Sequence, residues 1–225
     1  MSPGVWILVG VFAGAAFLLV HKVRGARASE ARLRALGFEP CEDEAPRILA
    51  AFSALAAGHV EGDRAYQVRS CSRRRVDSGF VYRFRAVDLS LRDRATDERA
   101  AVLPVSDVYL LQVAEGARAI LRPCTLFFSS LEGGLFQRLL ARLLTLRPFG
   151  RELELPTGPS RLLCAFGREP GKLDDHLSPT SRERLERAPA AGFFAAHFGS
   201  GRAAFLAPQG FRDVDAQWSF VSEWA

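Results

Sequence analysis

Asparagine is absent from the 225-residue chain, so there is no Asn-X-Ser/Thr acceptor for N-glycosylation. Lysine and isoleucine are scarce: Lys22 and Lys172 are the two lysines, and Ile7, Ile48 and Ile120 the three isoleucines. Arginine carries nearly all the positive charge. That bias points to a high-GC, bacterial coding sequence and lowers the weight of any single arginine as a functional mark. No CxxC occurs, and Cys41, Cys71, Cys124 and Cys164 lie far apart. Zinc ribbons and thioredoxin-type sites need short spacings and are excluded. In a reducing cytoplasm the four read as small buried apolar residues. In an oxidising compartment their even number permits two disulfides. There is also no P-loop, GxSxG, HExxH or dinucleotide fingerprint. Gly199-Ser200-Gly201 is too short to cradle a phosphate and fits a hairpin turn.

Charge is missing from one more place. No ionisable side chain occurs between Met1 and Val20. Twenty helical residues span about 30 Å, the hydrocarbon thickness of a bilayer. Trp6 suits the interface near one end. Basic residues start directly afterwards: Lys22, Arg24, Arg27, Arg32 and Arg34. A secretory signal carries its positive charge before the apolar run, and here the polarity is reversed. The expectation is an uncleaved anchor over residues 1–21, with the N-terminus outside and the remainder in the cytoplasm of an inner membrane. Residues 22–37 then form a basic juxtamembrane stalk, and residues 38–225 a single globular domain. Of the net charge of +5, residues 21–35 supply +4. The rest is nearly neutral, so the high pI reports topology and not the basic face of a nucleic-acid binder.

Within the domain, "DEAPRILAAFSALAAG" reads as a helix with Pro46 in its first turn. Its apolar stripe is Ile48, Leu49, Phe52, Leu55 and Ala56. The period then drops to two. "AYQVRSC" and "GFVYRFRAVDLSL" read as paired strands around the loop "SRRRVDSG", with a bulge near Arg85 and Ala86 in the second strand. In that loop Arg73, Arg74 and Arg75 are a solvated tip, or a contact for anionic lipid headgroups. "AAVLPV" and "DVYLLQV" follow as strands, then "RAILRPCTLFF", where Pro123 marks an edge or a bend. "GGLFQRLLARLLTLRPFG" has the leucine stripe of a helix packed on a sheet. "RELEL" and "RLLCAF" return to strands. Ser178 and Pro179 open a short exposed helix. "GFFAAHFGSGRAAFLAP" is a hairpin, and "DVDAQWSFVSEWA" a closing helix. The expected class is α+β: an N-terminal transmembrane helix, then a mostly antiparallel sheet with helices packed on one face.

Candidate chemistry is sparse. Asp174, Asp175 and His176 stand together in a polar loop, where such a trio could bind a metal or act as acid and base. The plainer reading is a solvated loop whose acids favour the next helix N-terminus. His197, among Phe193, Phe194 and Phe198, reads as a satisfied strand histidine. No cofactor and no metal are expected. The order of features resembles that of uncharacterised bacterial membrane-anchored proteins with a single α+β domain: an anchor, a basic stalk ending in "LGF", a helix, then "GFVYRFRAVDL". That resemblance implies a tethered domain and transfers no catalytic residue. The expected partners are the lipid bilayer and a protein at the membrane, with the domain a subunit of an envelope complex. The competing reading is a hydrolase-like membrane enzyme using Asp174, Asp175 and His176.

Overall fold

The computed structural model describes residues 27–57, 66–88, 105–114, 118–128, 150–156, 161–208 and 213–225. The anchor segment 1–21 lies outside them, as do Lys22, Arg24 and the leucine-rich stretch 133–149. Among the described residues, no helix is long and apolar enough to cross a membrane.

The fold is α+β. Among the described residues ten strands form one sheet: β1 (Glu39–Pro40), β2 (Tyr66–Val76), β3 (Gly79–Asp88), β4 (Val105–Gln112), β5 (Cys124–Phe128), β6 (Arg151–Glu154), β7 (Leu162–Gly167), β8 (Gly171–Lys172), β9 (Ala195–Gly199) and β10 (Arg202–Pro208). Their order is β1-β2-β3-β4-β10-β9-β5-β7-β6-β8. Every described pairing is antiparallel except β6 with β8. The late β9–β10 hairpin is therefore the centre of the sheet. It joins the β1–β4 meander to the β5–β8 half. Its turn has positive φ at both Ser200 (50°) and Gly201 (71°), the geometry that matches the twist of a two-residue hairpin.

Helices cover both faces, where the sequence pattern predicted one. On the first face lies α2 (Ala45–Ala57). Its Ile48, Phe52 and Leu55 pack with Phe84, Val108, Leu110 and Ala204. On the second lie α1 (residues 27–35), α3 (Pro179–Leu185) and α4 (Val214–Ser222). There Tyr109, Phe193, Phe198, Phe205, Phe220 and Trp224 form an aromatic core. Its rings meet edge-on or tilted, as Phe205 does with Phe220 at 5.1 Å and with Trp224 at 5.4 Å, arrangements that suit the aromatic quadrupole.

Helix α1 belongs to this core. Leu33 and Phe38 are buried in it. The helix ends in a Schellman motif: Phe38 N donates to Leu33 O and Gly37 N to Arg34 O, both at 2.9 Å. Gly37, at φ 81°, supplies the left-handed residue that this motif requires.

Three strand expectations are corrected. The hairpin turn after β2 is Asp77-Ser78, with Val76 opposite Gly79. Arg73, Arg74 and Arg75 therefore sit on the strand and not in a loop. The bulge lies in β2 and not in β3. Register slips between Arg69 and Ser72, with Ser70 at φ 53°. This reverses the parity of β2, so that Tyr66 and Val68 share a face with Cys71. Strand β3 stays regular. It places Phe84 and Ala86 on the α2 face and Val81 on the other; two covered faces accommodate both parities. Finally, of the two readings of Pro123 the edge fails and the bend stands, since residues 121–122 directly before it form a bend. Pro123 precedes β5, which lies between β9 and β7.

Candidate functional site

The residues singled out for catalysis do separate jobs. Asp174 pairs with Arg182 at 2.7 Å. Asp175 accepts from Lys172 N at 3.2 Å, closing the 3-10 turn Leu173–Asp175. His176 is buried at 4% exposure and donates from Nδ1 to Pro123 O at 2.9 Å. Its carbonyl accepts from the amides of Leu121 and Arg122. Its ring lies so close to Gly167 that a Cβ there would come within 2.7 Å of Cε1. The stretch is thus half surface and half core, where sequence implied a solvated loop. His176 is a bracket between β7 and the segment before β5. Helix α3 is half-buried too: Ser181 and Leu185 are inside. Its N-cap is the expected one, Ser178 Oγ accepting from Ser181 N.

His197 is hydrogen-bonded as a strand histidine, sharing a 2.8 Å bond between its Nδ1 and Thr125 Oγ1. Among the described residues, no group of three or more His, Cys, Asp or Glu side chains is placed to hold a metal ion.

Of the orientation residues, Trp6, Lys22 and Arg24 lie outside the described set. Arg27 and Arg34 are exposed on α1. Arg32 holds Asp215 on α4 with an ion pair of 2.7 Å. Part of the positive charge that follows Val20 thus docks α1 on the domain. The other arginines of interest face opposite ways along β2. Arg73 pairs with Glu44 and covers Phe80 at 4.9 Å. Arg74 covers Trp218 at 4.2 Å on the opposite face. A solvated tip describes neither.

Two features carry no periodic signal in the sequence. The first is a buried charge cluster. Arg83 on β3 contacts Asp107 on β4 at 3.1 Å, and Arg85 approaches the same carboxylate at 3.7 Å. Arg83 and Asp107 are both buried. Such a pair is costly to break, because either partner left alone is an uncompensated buried charge.

The second is the sulfur pair at the sheet edge. Cys41 follows β1, and Cys71 lies in the β2 bulge between Arg69 and Ser72. Both are 2% exposed, and their Sγ atoms are 2.8 Å apart. Cys41 N donates to Cys71 O at 3.1 Å, and Cys71 N to Glu42 Oε1 at 2.9 Å. Glu44 accepts from Tyr82 Oη at 2.9 Å beside them. Burial pushes both thiols above their ordinary range, and the acid side chains of Glu42 and Glu44 act the same way. Cys124 and Cys164 have no such neighbour. Cys124 sits opposite Gly167 and Cys164 opposite Phe127, and they belong to clusters on opposite faces of the sheet.

A shallow cavity lies between α2, the start of β3 and the end of β4, lined by Arg47, Ile48, Ser78, Phe80, Tyr82 and Gln112 among others. Its volume of about 170 Å³ falls below the roughly 300 Å³ at which small-molecule pockets begin. Comparison of the chain with protein-family models, with curated proteins and with solved structures returned no match.

Proposed function

We propose that the chain is a single-pass membrane-tethered protein whose α+β domain works on the cytoplasmic side as an interaction module or subunit of an envelope complex. The observation that carries this reading is the charge pattern: none from Met1 to Val20, then five basic residues by Arg34. Moving those five across the membrane opposes the positive-inside bias, whereas the short uncharged N-terminus crosses readily.

The docking of α1 supports the same reading. Arg32 is twelve residues beyond Val20, a distance that even extended chain spans in about 40 Å. With Arg32 held on Asp215, the domain stays within that reach of the bilayer. Confinement of this kind raises the effective concentration of the domain for membrane partners without any added contact. The competing enzyme reading loses its best residues, since Asp174, Asp175 and His176 are each engaged in holding local structure.

Fractionation tests the tether. The protein should stay with membranes through high salt and alkaline carbonate, at full-chain size. Release of a shorter soluble form would identify residues 1–21 as a cleaved signal. Replacing Asp174 and Asp175 together by alanine should leave cellular function intact. Loss of function at normal abundance would favour the enzyme.

A further inference from the structure

We propose that Cys41 and Cys71 are a dithiol–disulfide site, which on oxidation staples the segment between α1 and α2 to strand β2. This rests on the geometry of the edge and is independent of the tether.

Register is the first support. Glu39 pairs with Arg73 and Pro40 with Ser72, so Cys41 and Cys71 are the next opposed pair. Opposed residues of an antiparallel ladder have Cα atoms about 4.5–5.5 Å apart, inside the window that a disulfide bridges. The sulfurs, at 2.8 Å, need to close by only about 0.8 Å to reach the ~2.05 Å bond. The β2 bulge is the second support. The parity change at Ser70 puts Cys71 on the α2 face of the sheet, where Cys41 is also buried. The third is the contrast with Cys124 and Cys164, which the same sheet holds on opposite faces.

The oxidant is a small-molecule disulfide, RSSR. One cysteine thiolate attacks a sulfur of RSSR, breaking its S–S bond and releasing RS⁻, which takes up a proton. The second cysteine then loses its proton, attacks the protein sulfur of the mixed disulfide and expels the second RS⁻. In sum, two protein thiols and RSSR give the Cys41–Cys71 disulfide and two RSH. Two electrons pass from the cysteines to RSSR, and the two thiol protons end on the released thiols. Both thiols are buried and hold their protons tightly, so the exchange proceeds through local opening of the short β1 edge. In a reducing compartment the pair remains a dithiol.

The test equilibrates the purified full-length protein, in detergent, with glutathione and glutathione disulfide at graded ratios. Thiols are then counted after acid quenching, and peptides are mapped without reduction. The folded chain should fall from four thiols to two, with Cys41 and Cys71 in one linked peptide. The Cys124→Ser, Cys164→Ser double variant should lose its two remaining thiols in the same way. The ratio of disulfide to thiol that half-oxidises the pair should be about a few hundredfold lower for folded protein than for protein in concentrated urea, because a bond that stabilises the fold is equally favoured by it. Four thiols persisting in the folded chain would overturn the proposal. So would a linkage through Cys124 or Cys164, a linkage between two chains, or equal midpoints in the folded and unfolded states.

Discussion

The two halves of the sheet that flank the β9–β10 hairpin are built differently. On one side β2, β3 and β4 are long and carry charge into the interior, with Arg83 and Asp107 buried together and two sulfurs in contact at the edge. On the other side the strands are short. All five residues of β5, Cys-Thr-Leu-Phe-Phe, are buried, and Cys124 and Cys164 never meet. The difference teaches that cysteine spacing along a chain says little about cysteine pairing. Register decides it: a two-residue strand and one bulge bring Cys41 and Cys71 together, while a three-residue offset and a change of face keep Cys124 and Cys164 apart.

The largest effect should come from the hairpin that joins the halves. Phe205 is fully buried against Phe193, Phe198, Phe220 and Trp224, so Phe205→Ala should cost about 3–5 kcal/mol in denaturant unfolding. Phe80→Ala, at a partly exposed residue of the edge half, should cost less than half of that. Equal losses would show that the two sites are equally packed. Next is the staple itself. Cys41 and Cys71 are 30 residues apart, and closing a loop of that length should raise stability by about 3–4 kcal/mol in the oxidised chain. A gain near zero would match equal oxidation midpoints in the folded and unfolded chain and would overturn the staple.

The third contrast lies within the β5–β8 half. His176→Ala leaves the Pro123 carbonyl without its donor and should cost about 1–3 kcal/mol. Asp174→Ala removes an ion pair whose acid is exposed and whose Arg182 is half-buried, and should change stability by about 1 kcal/mol or less. The last contrast concerns pH. Burial raises the Cys124 thiol above its ordinary value of 9.0. The folded chain therefore keeps this proton where the unfolded chain loses it. Its contribution is complete below the unfolded value and is lost as pH rises from about 9, at up to about 1.4 kcal/mol per pH unit. Cys124→Ala should flatten the alkaline limb by about that slope. An unchanged limb would show that other groups set it.

Much of the fold was legible from periodicity. The stripe of α2, the Ser178 cap, the Gly199–Gly201 turn and the closing helix all follow local rules, and local rules act within a few residues. What sequence did not reveal was non-local. Nothing near Ala195 or Pro208 announces that this hairpin inserts between β4 and β5. Nothing in "FEPC" marks a two-residue strand. The alternation in "GFVYRFRAVD" fits one buried face only if a bulge interrupts it. Two covered faces made the bulge unnecessary there, while Ser70 took one in the partner strand without a glycine to signal it. The sulfur pair, the buried Arg83–Asp107 contact and the bracket at His176 all depend on such pairings.

The central claim is a tethered domain facing the cytoplasm, and a reporter fused after Ala225 tests it most directly. A fusion whose activity requires the cytoplasm should be active, and a matched fusion that functions only outside should be silent. Neutralising Lys22, Arg24, Arg27, Arg32 and Arg34 together should weaken or invert that preference. An active outside-only fusion on the unaltered chain would contradict the account and place the Cys41–Cys71 pair in an oxidising compartment.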